Sequence, residues 1–465
     1  MASDRSSGTR FRQLEDAWQA AADRLLPVVQ PGAPWRSSGA VPLDLPYQGW
    51  KLHVSATVMT AVDVLQAVGP VLHRRGVLFK GPATLLQLKQ LNCGLFHGFS
   101  QVGKFLTVYP PTEELACTLA LELDTATRGA AAPAVPFERA VSSGSSVFTR
   151  YGAFRDDSEG RTGHLRTPDG DLVEDRRDHD PPWAALPEGL IRATPSEDTS
   201  PGPLSTTFRA FSALGQRGKG GVYQAVDLSA SPARPCVVKE GRALGEVDWD
   251  GSDGRSRIRH EGDVLTDLSS RGVDVPELYA RFEQGGHAYL VLEWVDGRPL
   301  SDVVSPAAEL LPLDTALDLG RQCAALVRRI HECGWIWRDL KTANLVLTPG
   351  NVLRPLDFEG AARPGVRASP WGTAGYLPKG WTQSSEVSAS QDLYALGVVL
   401  SQLLTNAAPV ADEAPPPVRS RRADVPERVA AVVDELTRPA AAPARTPDRS
   451  AKIVQRELAA ALRRS

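Results

Sequence analysis

The run Trp337-Arg338-Asp339-Leu340-Lys341-Thr342-Ala343-Asn344, followed by Leu356-Asp357-Phe358, constrains this chain more than any other stretch. It sets a carboxylate, a cation and a carboxamide on one short loop, and a second carboxylate on the next. Phosphoryl transfer asks for that set. One carboxylate orients a hydroxyl, a cation neutralises the moving phosphate, and an amide oxygen with a second carboxylate suits a divalent metal ion. A fold carrying it must bring the two loops together and supply a phosphate cradle from elsewhere.

The cradle has a candidate upstream. Leu214 to Tyr223 holds Gly215, Gly218 and Gly220 between two segments of strand character. Glycines there let backbone N–H groups approach phosphate oxygens closely. Val237-Val238-Lys239 reads as a strand carrying a lysine, and Arg259-His260-Glu261 lies on the helix after it. Tyr289 to Val295 is an apolar strand with Glu293 near its end. From Phe208 onward the order is strand, glycine loop, strand, helix, two strands, then mostly helices. Gly372-Thr373-Ala374-Gly375-Tyr376, Asp392 and Arg445 to Ser450 complete the pattern.

This stretch resembles a two-lobed protein kinase. The resemblance implies ATP and Mg²⁺ as cofactors. Asp339 orients the attacking hydroxyl, Lys341 sits at the transferred phosphate, and Asn344 and Asp357 hold the metal. Gly215, Gly218 and Gly220 cover the phosphates, Lys239 pairs with Glu261, and the backbone at Glu293 and Val295 meets the adenine. Four positions depart from the family: Arg217 replaces a glycine, Trp337 a histidine that braces the metal-binding loop, Glu359 a glycine, and Lys379 a glutamate.

At 465 residues the chain calls for more than one core. A net charge of −3 supplies no field to recruit nucleic acid or acidic lipid. Five cysteines without metal-ligand spacing read as reduced thiols, and the polar N-terminus leads into no apolar signal segment. The expectation is a cytoplasmic protein with no nucleic-acid or membrane partner.

Phe11, Leu14, Trp18, Ala21, Leu25 and Leu26 repeat at helical spacing up to Pro27, and Val58 to Arg75 reads as a second helix. Val77 to Phe79, Phe105 to Tyr109 and Val147 to Phe154 read as strands. Leu186 to Thr206 has the composition of a linker. The predicted class is therefore α+β, with a mixed α/β domain over 1–186, a linker over 187–206 and the kinase-like domain over 207–465.

Several phrases in the first domain carry a second resemblance: Lys51-Leu52-His53-Val54-Ser55-Ala56-Thr57, Phe79-Lys80, Gly103-Lys104 through Pro110, Phe137-Glu138-Arg139, and Thr149-Arg150-Tyr151-Gly152-Ala153-Phe154. They resemble the lyase domain of class III lanthipeptide synthetases, which is similar to phosphothreonine lyases. β-Elimination from a phosphorylated Ser or Thr needs a base for the Cα proton, an acid for the departing phosphate and cations around the dianion. The resemblance makes Lys80 the base and His53 the acid. Lys51, Arg139 and Arg150 are the expected phosphate ligands. Lys51 and His53 share one face if their segment is a strand.

Two departures accompany this resemblance. The family has an arginine between the positions of Asn92 and Gly103, where this chain has none; His97 or Lys104 could stand in for it. The family continues into a cyclase domain, and this chain ends at Ser465. The expected function is phosphorylation of Ser or Thr in a ribosomally made precursor peptide with a leader, then elimination to dehydroalanine or dehydrobutyrine. For ring closure the alternatives are a separate cyclase as a further partner, a product that is not cyclised, or a sequence that is part of a longer chain. The alternative is a peptide kinase whose N-terminal domain only binds peptide or phosphopeptide.

Overall fold

A computed structural model describes residues 6–29, 32–156, 160–161, 163–191, 203–379, 386–438 and 447–463. Most of the expected linker, 192–202, and the Arg445 end of the closing arginine segment lie outside the described residues.

In chain order the first part is α1 (Ser6–Leu25), β1 (Val28–Val29), β2 (Trp35–Ser37), β3 (Gln48–Val54), α2 (Ala61–Arg74), β4 (Leu78–Pro82), α3 (Leu85–Cys93), β5 (Leu106–Tyr109), α4 (Glu113–Ala126), β6 (Arg139–Ala140), β7 (Val147–Ala153), β8 (His164–Arg166) and β9 (Leu172–Glu174). α1 buries Trp18, Ala22 and Leu25 on one side and gives out before Pro27. α2 starts three residues later than its apolar periodicity suggests. The Thr57 hydroxyl accepts the N–H groups of Met59 and Thr60, and the Thr60 hydroxyl accepts that of Thr57, which closes a turn ahead of the helix.

Seven strands form one sheet in the order β1-β2-β4-β5-β3-β7-β6, with antiparallel pairing throughout. Its two faces differ sharply. Leu52, Val54, Phe79, Leu106, Val108 and Val147 are buried in a core shared with residues of α1, α2 and α4. Alternate positions on the same strands, Lys51, His53, Lys80, Thr107, Tyr109 and Arg150, belong to the other face.

The second part is α5 (Pro203–Thr206), β10 (Phe208–Arg217), β11 (Gly220–Asp227), β12 (Arg234–Gly241), α6 (Gly254–Ser270), β13 (Leu278–Gln284), β14 (His287–Glu293), β15 (Arg298–Pro299), α7 (Leu300–Val303), α8 (Leu313–Glu332), β16 (Leu345–Leu347), β17 (Leu353–Pro355), α9 (Ala389–Thr405), α10 (Val418–Arg421), α11 (Glu427–Leu436) and α12 (Pro447–Leu462). A five-stranded sheet runs in the order β10-β11-β12-β14-β13. The fold is thus mixed: a sheet-and-helix N-terminal region, then a strand-rich lobe and a helical region.

The chain forms two compact units. One comprises residues 1–229, 239–256 and 282–289, and the other 230–238, 257–281 and 290–465. In the first, Trp249 joins the apolar core of the seven-stranded region, 4.8 Å edge-on from Phe11, while Lys89 pairs with Asp248 at 2.5 Å. In the second, α8 and α9 bury long apolar stripes, among them Leu317, Cys323 and Ile330 on α8 and Leu396, Val399 and Leu403 on α9. No helix among the described residues is long and apolar enough to cross a membrane. All five cysteines are free thiols.

Candidate functional site

The polar face of the seven-stranded sheet gathers most of the residues expected for elimination. Lys80 on β4 stands opposite Thr107 on β5, and Thr107 stands opposite His53 on β3. Lys51 stands opposite Arg150 on β7. Tyr109 lies between the two lysines, with its ring centre 5.7 Å from the Lys51 ammonium and 6.0 Å from that of Lys80; Trp35 flanks Lys80 at 5.2 Å. Burial drives the Lys51 pKa down to about 7, and Arg150, Lys80 and Lys104 add to the fall against the pull of Asp175. Burial also lowers the pKa of Lys80, helped by the charge of Arg177. A lysine held this way loses its proton more readily, as a general base must.

Arg150 is tied to Asp175 and donates to the Arg176 carbonyl at 3.1 Å. The structure does not bring Arg139 to this face. It pairs with Thr149, which faces the core, so the pleat sends Arg139 to the opposite side, and it is exposed. Arg177, in the Asp175-Arg176-Arg177 segment that also fits the lyase resemblance but carried no assigned role, acts on both Lys80 and Lys104.

Glu138 belongs to the Phe137-Glu138-Arg139 phrase, but its sequence context assigned it no role. Its side chain is 0% exposed, with His53 Nδ1 2.7 Å from Oε2 and Lys104 Nζ 2.7 Å from Oε1. Burial alone would raise its pKa, but His53 and Lys104 together pull it down to about 2. The His53 pKa falls to about 4, chiefly from burial, with Glu138 opposing. Lys104 is thereby committed to Glu138. His97 lies exposed in the loop after α3. Neither side chain offers the bidentate fork of the arginine that the resemblance leads one to expect.

In the second unit the motif residues close on one another. Asp339 Oδ2 accepts from Lys341 Nζ at 2.8 Å, and Oδ1 accepts from the Thr373 hydroxyl at 2.7 Å. Asn344 Nδ2 donates to the Asp339 carbonyl at 2.9 Å and to its carboxylate at 3.2 Å. Burial raises the Asp339 pKa, and the nearby Asp357 charge adds to this against Lys341 and Thr373. The Leu356 N–H donates to the Asn344 carbonyl at 2.7 Å, which fastens the two loops together.

Trp337 explains how the loop survives without its usual histidine. The indole N–H donates to the Asp357 carbonyl at 2.8 Å, and the ring stacks on Phe358 with centres 5.1 Å apart. Asp392 on α9 accepts the N–H groups of Trp337 and Arg338, both at 2.7 Å. Arg338 and Asp357 hold left-handed φ values of 69° and 60°, a strain that these bonds sustain. Glu261 on α6 is fully buried and accepts the Phe358 N–H at 3.0 Å.

Asn344 and Asp357 offer hard oxygen donors. Since the Asn344 side-chain nitrogen is used on Asp339, the side-chain amide oxygen Oδ1 is the donor it offers a cation. Among the described residues no group of three or more His, Cys, Asp or Glu could form a protein-only metal cage. A two-donor set suits Mg²⁺, which keeps waters and takes substrate phosphates as ligands.

The glycine segment lies in the first unit. β10 and β11 form a hairpin in which Arg217 pairs with Gly220. Gly215 sits at a register shift on β10. Gly220 has φ 153°, and a Cβ there would meet the Glu240 carbonyl at 1.7 Å. Gly218 donates its N–H to the Cys93 carbonyl at the end of α3, 3.0 Å away; a Cβ on it would lie 1.7 Å from the Asn92 carbonyl. Lys239 is near the end of β12 and half-buried. Glu293 spends its carboxylate on Arg354 at 2.5 and 3.0 Å, and half-buried Val295 follows β14.

Comparison with known proteins gives two family matches. The family described as RamC, N-terminal domain, matches residues 15–200, and the protein kinase domain family matches residues 208–455. A protein of Streptomyces coelicolor described as a probable SapB synthase is 32% identical over 346 residues, covering 70% of this chain and 37% of that protein. Serine/threonine-protein kinase F of Synechocystis is 31% identical over 220 residues, 43% of this chain and 44% of the kinase. Serine/threonine-protein kinase PknA of Nostoc is 29% identical over 217 residues, 44% and 38% respectively. The chain spans less than half the length of each of these relatives.

Proposed function

The chain belongs to the protein kinase family, and from that premise we propose that it modifies a ribosomally made precursor peptide in two steps. The kinase half phosphorylates Ser or Thr with ATP, and the N-terminal half eliminates the phosphate to leave dehydroalanine or dehydrobutyrine. The observation that carries the reading is the polar sheet face, where Lys51, Lys80, Arg150 and His53 stand together beside aromatic walls. Likeness to a SapB synthase supports a peptide substrate.

In the first step Asp339 receives the hydroxyl proton, a task its raised pKa suits, and Lys341 neutralises charge on the moving phosphoryl group. Asn344 and Asp357 would hold Mg²⁺, which offsets phosphate charge when bound. In the second step Lys80 takes the Cα proton and His53 protonates the departing phosphate, while Lys51 and Arg150 hold the dianion. Fusion of the two activities keeps the phosphopeptide at high effective concentration for the second.

A second reading has its own support. Lys104 is committed to Glu138 and supplies no substitute for the missing arginine, which favours a domain that binds phosphopeptide without cleaving it. Peptide mass after incubation with ATP, Mg²⁺ and precursor peptide separates the two. Net loss of one water supports elimination. Phosphate gain that never converts would establish the binding module.

A further inference from the structure

Glu138 is a buried carboxylate that the elimination steps above do not use. It belongs to the short segment before β6, yet both its oxygens are committed to the polar sheet face: Oε2 to His53 and Oε1 to Lys104, each at 2.7 Å. An ionised carboxylate can only accept hydrogen bonds, so the hydrogen between them sits on His53 Nδ1. That leaves Nε2 as the ring nitrogen free to exchange a proton with a bound molecule. Resting on the lyase reading, we infer that Glu138 is a positioning residue: it fixes His53 as the Nδ1–H form and sustains the imidazolium whose Nε2–H protonates the departing phosphate, with Lys104 as the clamp that holds the carboxylate.

The step balances. Lys80, entering as the free amine, takes the Cα proton, and that C–H electron pair becomes the new C=C bond. The Cβ–O bond breaks with its electrons going to phosphate, and the Nε2 proton passes to the phosphate oxygen. Lysinium and neutral imidazole remain, and solvent resets both. The charged groups facing the ring are Glu138, Lys104 and Lys51, with Lys80 one strand further on, beyond Thr107. Burial, with the charges of Lys104 and Lys51 set against one carboxylate, keeps the resting ring neutral. A phosphate dianion arriving among those cations shifts the balance toward the imidazolium, and Glu138 makes that shift possible by accepting from Nδ1.

The test uses the full chain and a synthetic phosphoserine peptide. Glu138→Gln keeps size and an acceptor but loses the charge, so kcat for phosphate release should fall about 100-fold with KM little changed. Glu138→Asp keeps the charge and should recover part of the loss. On a His53→Ala background Glu138→Gln should cost nothing further. ¹⁵N NMR of the resting protein should find His53 protonated at Nδ1 and bare at Nε2, and a mixture of tautomers in Glu138→Gln. Equal losses with and without His53 would reduce Glu138 to a structural residue and overturn the inference. A resting His53 protonated at Nε2, in a protein that does release phosphate, would overturn this role alone. No phosphate release by the intact protein would remove the lyase reading and this role together.

Discussion

Two carboxylates, the half-buried Asp339 and the buried Glu138, each contact a lysine, yet they respond in opposite directions. Asp339 Oδ2 meets Lys341 at 2.8 Å, and its pKa rises. Glu138 Oε1 meets Lys104 at 2.7 Å, and its pKa falls to about 2. Burial pushes both upward, so the neighbours decide. Asp339 has one cation and the negative Asp357 nearby, whereas Glu138 has Lys104 and His53 with no carboxylate to oppose them. The first is poised to take a proton. The second stays ionised and orders its surroundings. A carboxylate–lysine contact by itself therefore says little about function, and the next charge out says more.

Breaking each cluster at its reactive member should give the largest effects and should separate the two chemistries. Asp339→Asn should lower phosphoryl transfer about 1,000-fold while leaving elimination from a supplied phosphopeptide intact. Lys80→Ala should do the reverse, with phosphopeptide accumulating in the mass spectrum. If either variant impaired both steps equally, the assignment of one chemistry to each half would be wrong.

The two clusters also differ in how far the sequence reveals them. Asp339, Lys341 and Asn344 lie within six residues and Asp357 follows closely, so local spacing carries the kinase loop. Lys51 and His53 share a strand, and period two places them on one face. Glu138 lies 85 residues from His53. No periodicity links the two, because β6 is only two residues long and its register is set by β7. The same short strand explains Arg139, whose face follows from pairing with Thr149 and not from its own neighbours. Trp337 was legible as a departure but not as a replacement brace, since the bond to the Asp357 carbonyl exists only once both loops have folded.

A smaller effect sharpens the contrast through stability. Lys104→Met removes one partner of a pair whose side chains are 4% and 0% exposed. Breaking a buried pair by removing one charge costs about 3 kcal/mol, to be read from denaturant unfolding. The pH dependence should change with it. The lowered pKa values of His53 and Glu138 both place stability on the alkaline side. It is full above their ordinary values of 6.5 and 4.5, and is lost as the pH falls through about 4 and then about 2. Loss of Lys104 removes a cation that depresses His53, so the variant's loss of stability on acidification between pH 6.5 and 4 should be shallower. An unchanged slope would mean that Lys104 does not act on His53.

The smallest expected effect concerns how Asp357 is held. Trp337→Phe keeps the stack on Phe358 but removes the indole donor to the Asp357 carbonyl. Leaving that acceptor short of a partner costs about 1–3 kcal/mol, much of it as a destabilised Asp357 backbone, since its φ of 60° must be sustained by surrounding bonds. Phosphoryl transfer should fall about tenfold, which corresponds to about 1.4 kcal/mol, with a weaker apparent affinity for Mg²⁺. Trp337→His offers a ring N–H again and should recover activity beyond Trp337→Phe, even though it packs less surface against Phe358. Should the phenylalanine variant match the intact protein while histidine does worse, stacking and not the hydrogen bond would be what fixes the loop. Elimination from a supplied phosphopeptide should be unaffected in both, because no group on the Glu138 side of the comparison depends on the Asp357 backbone.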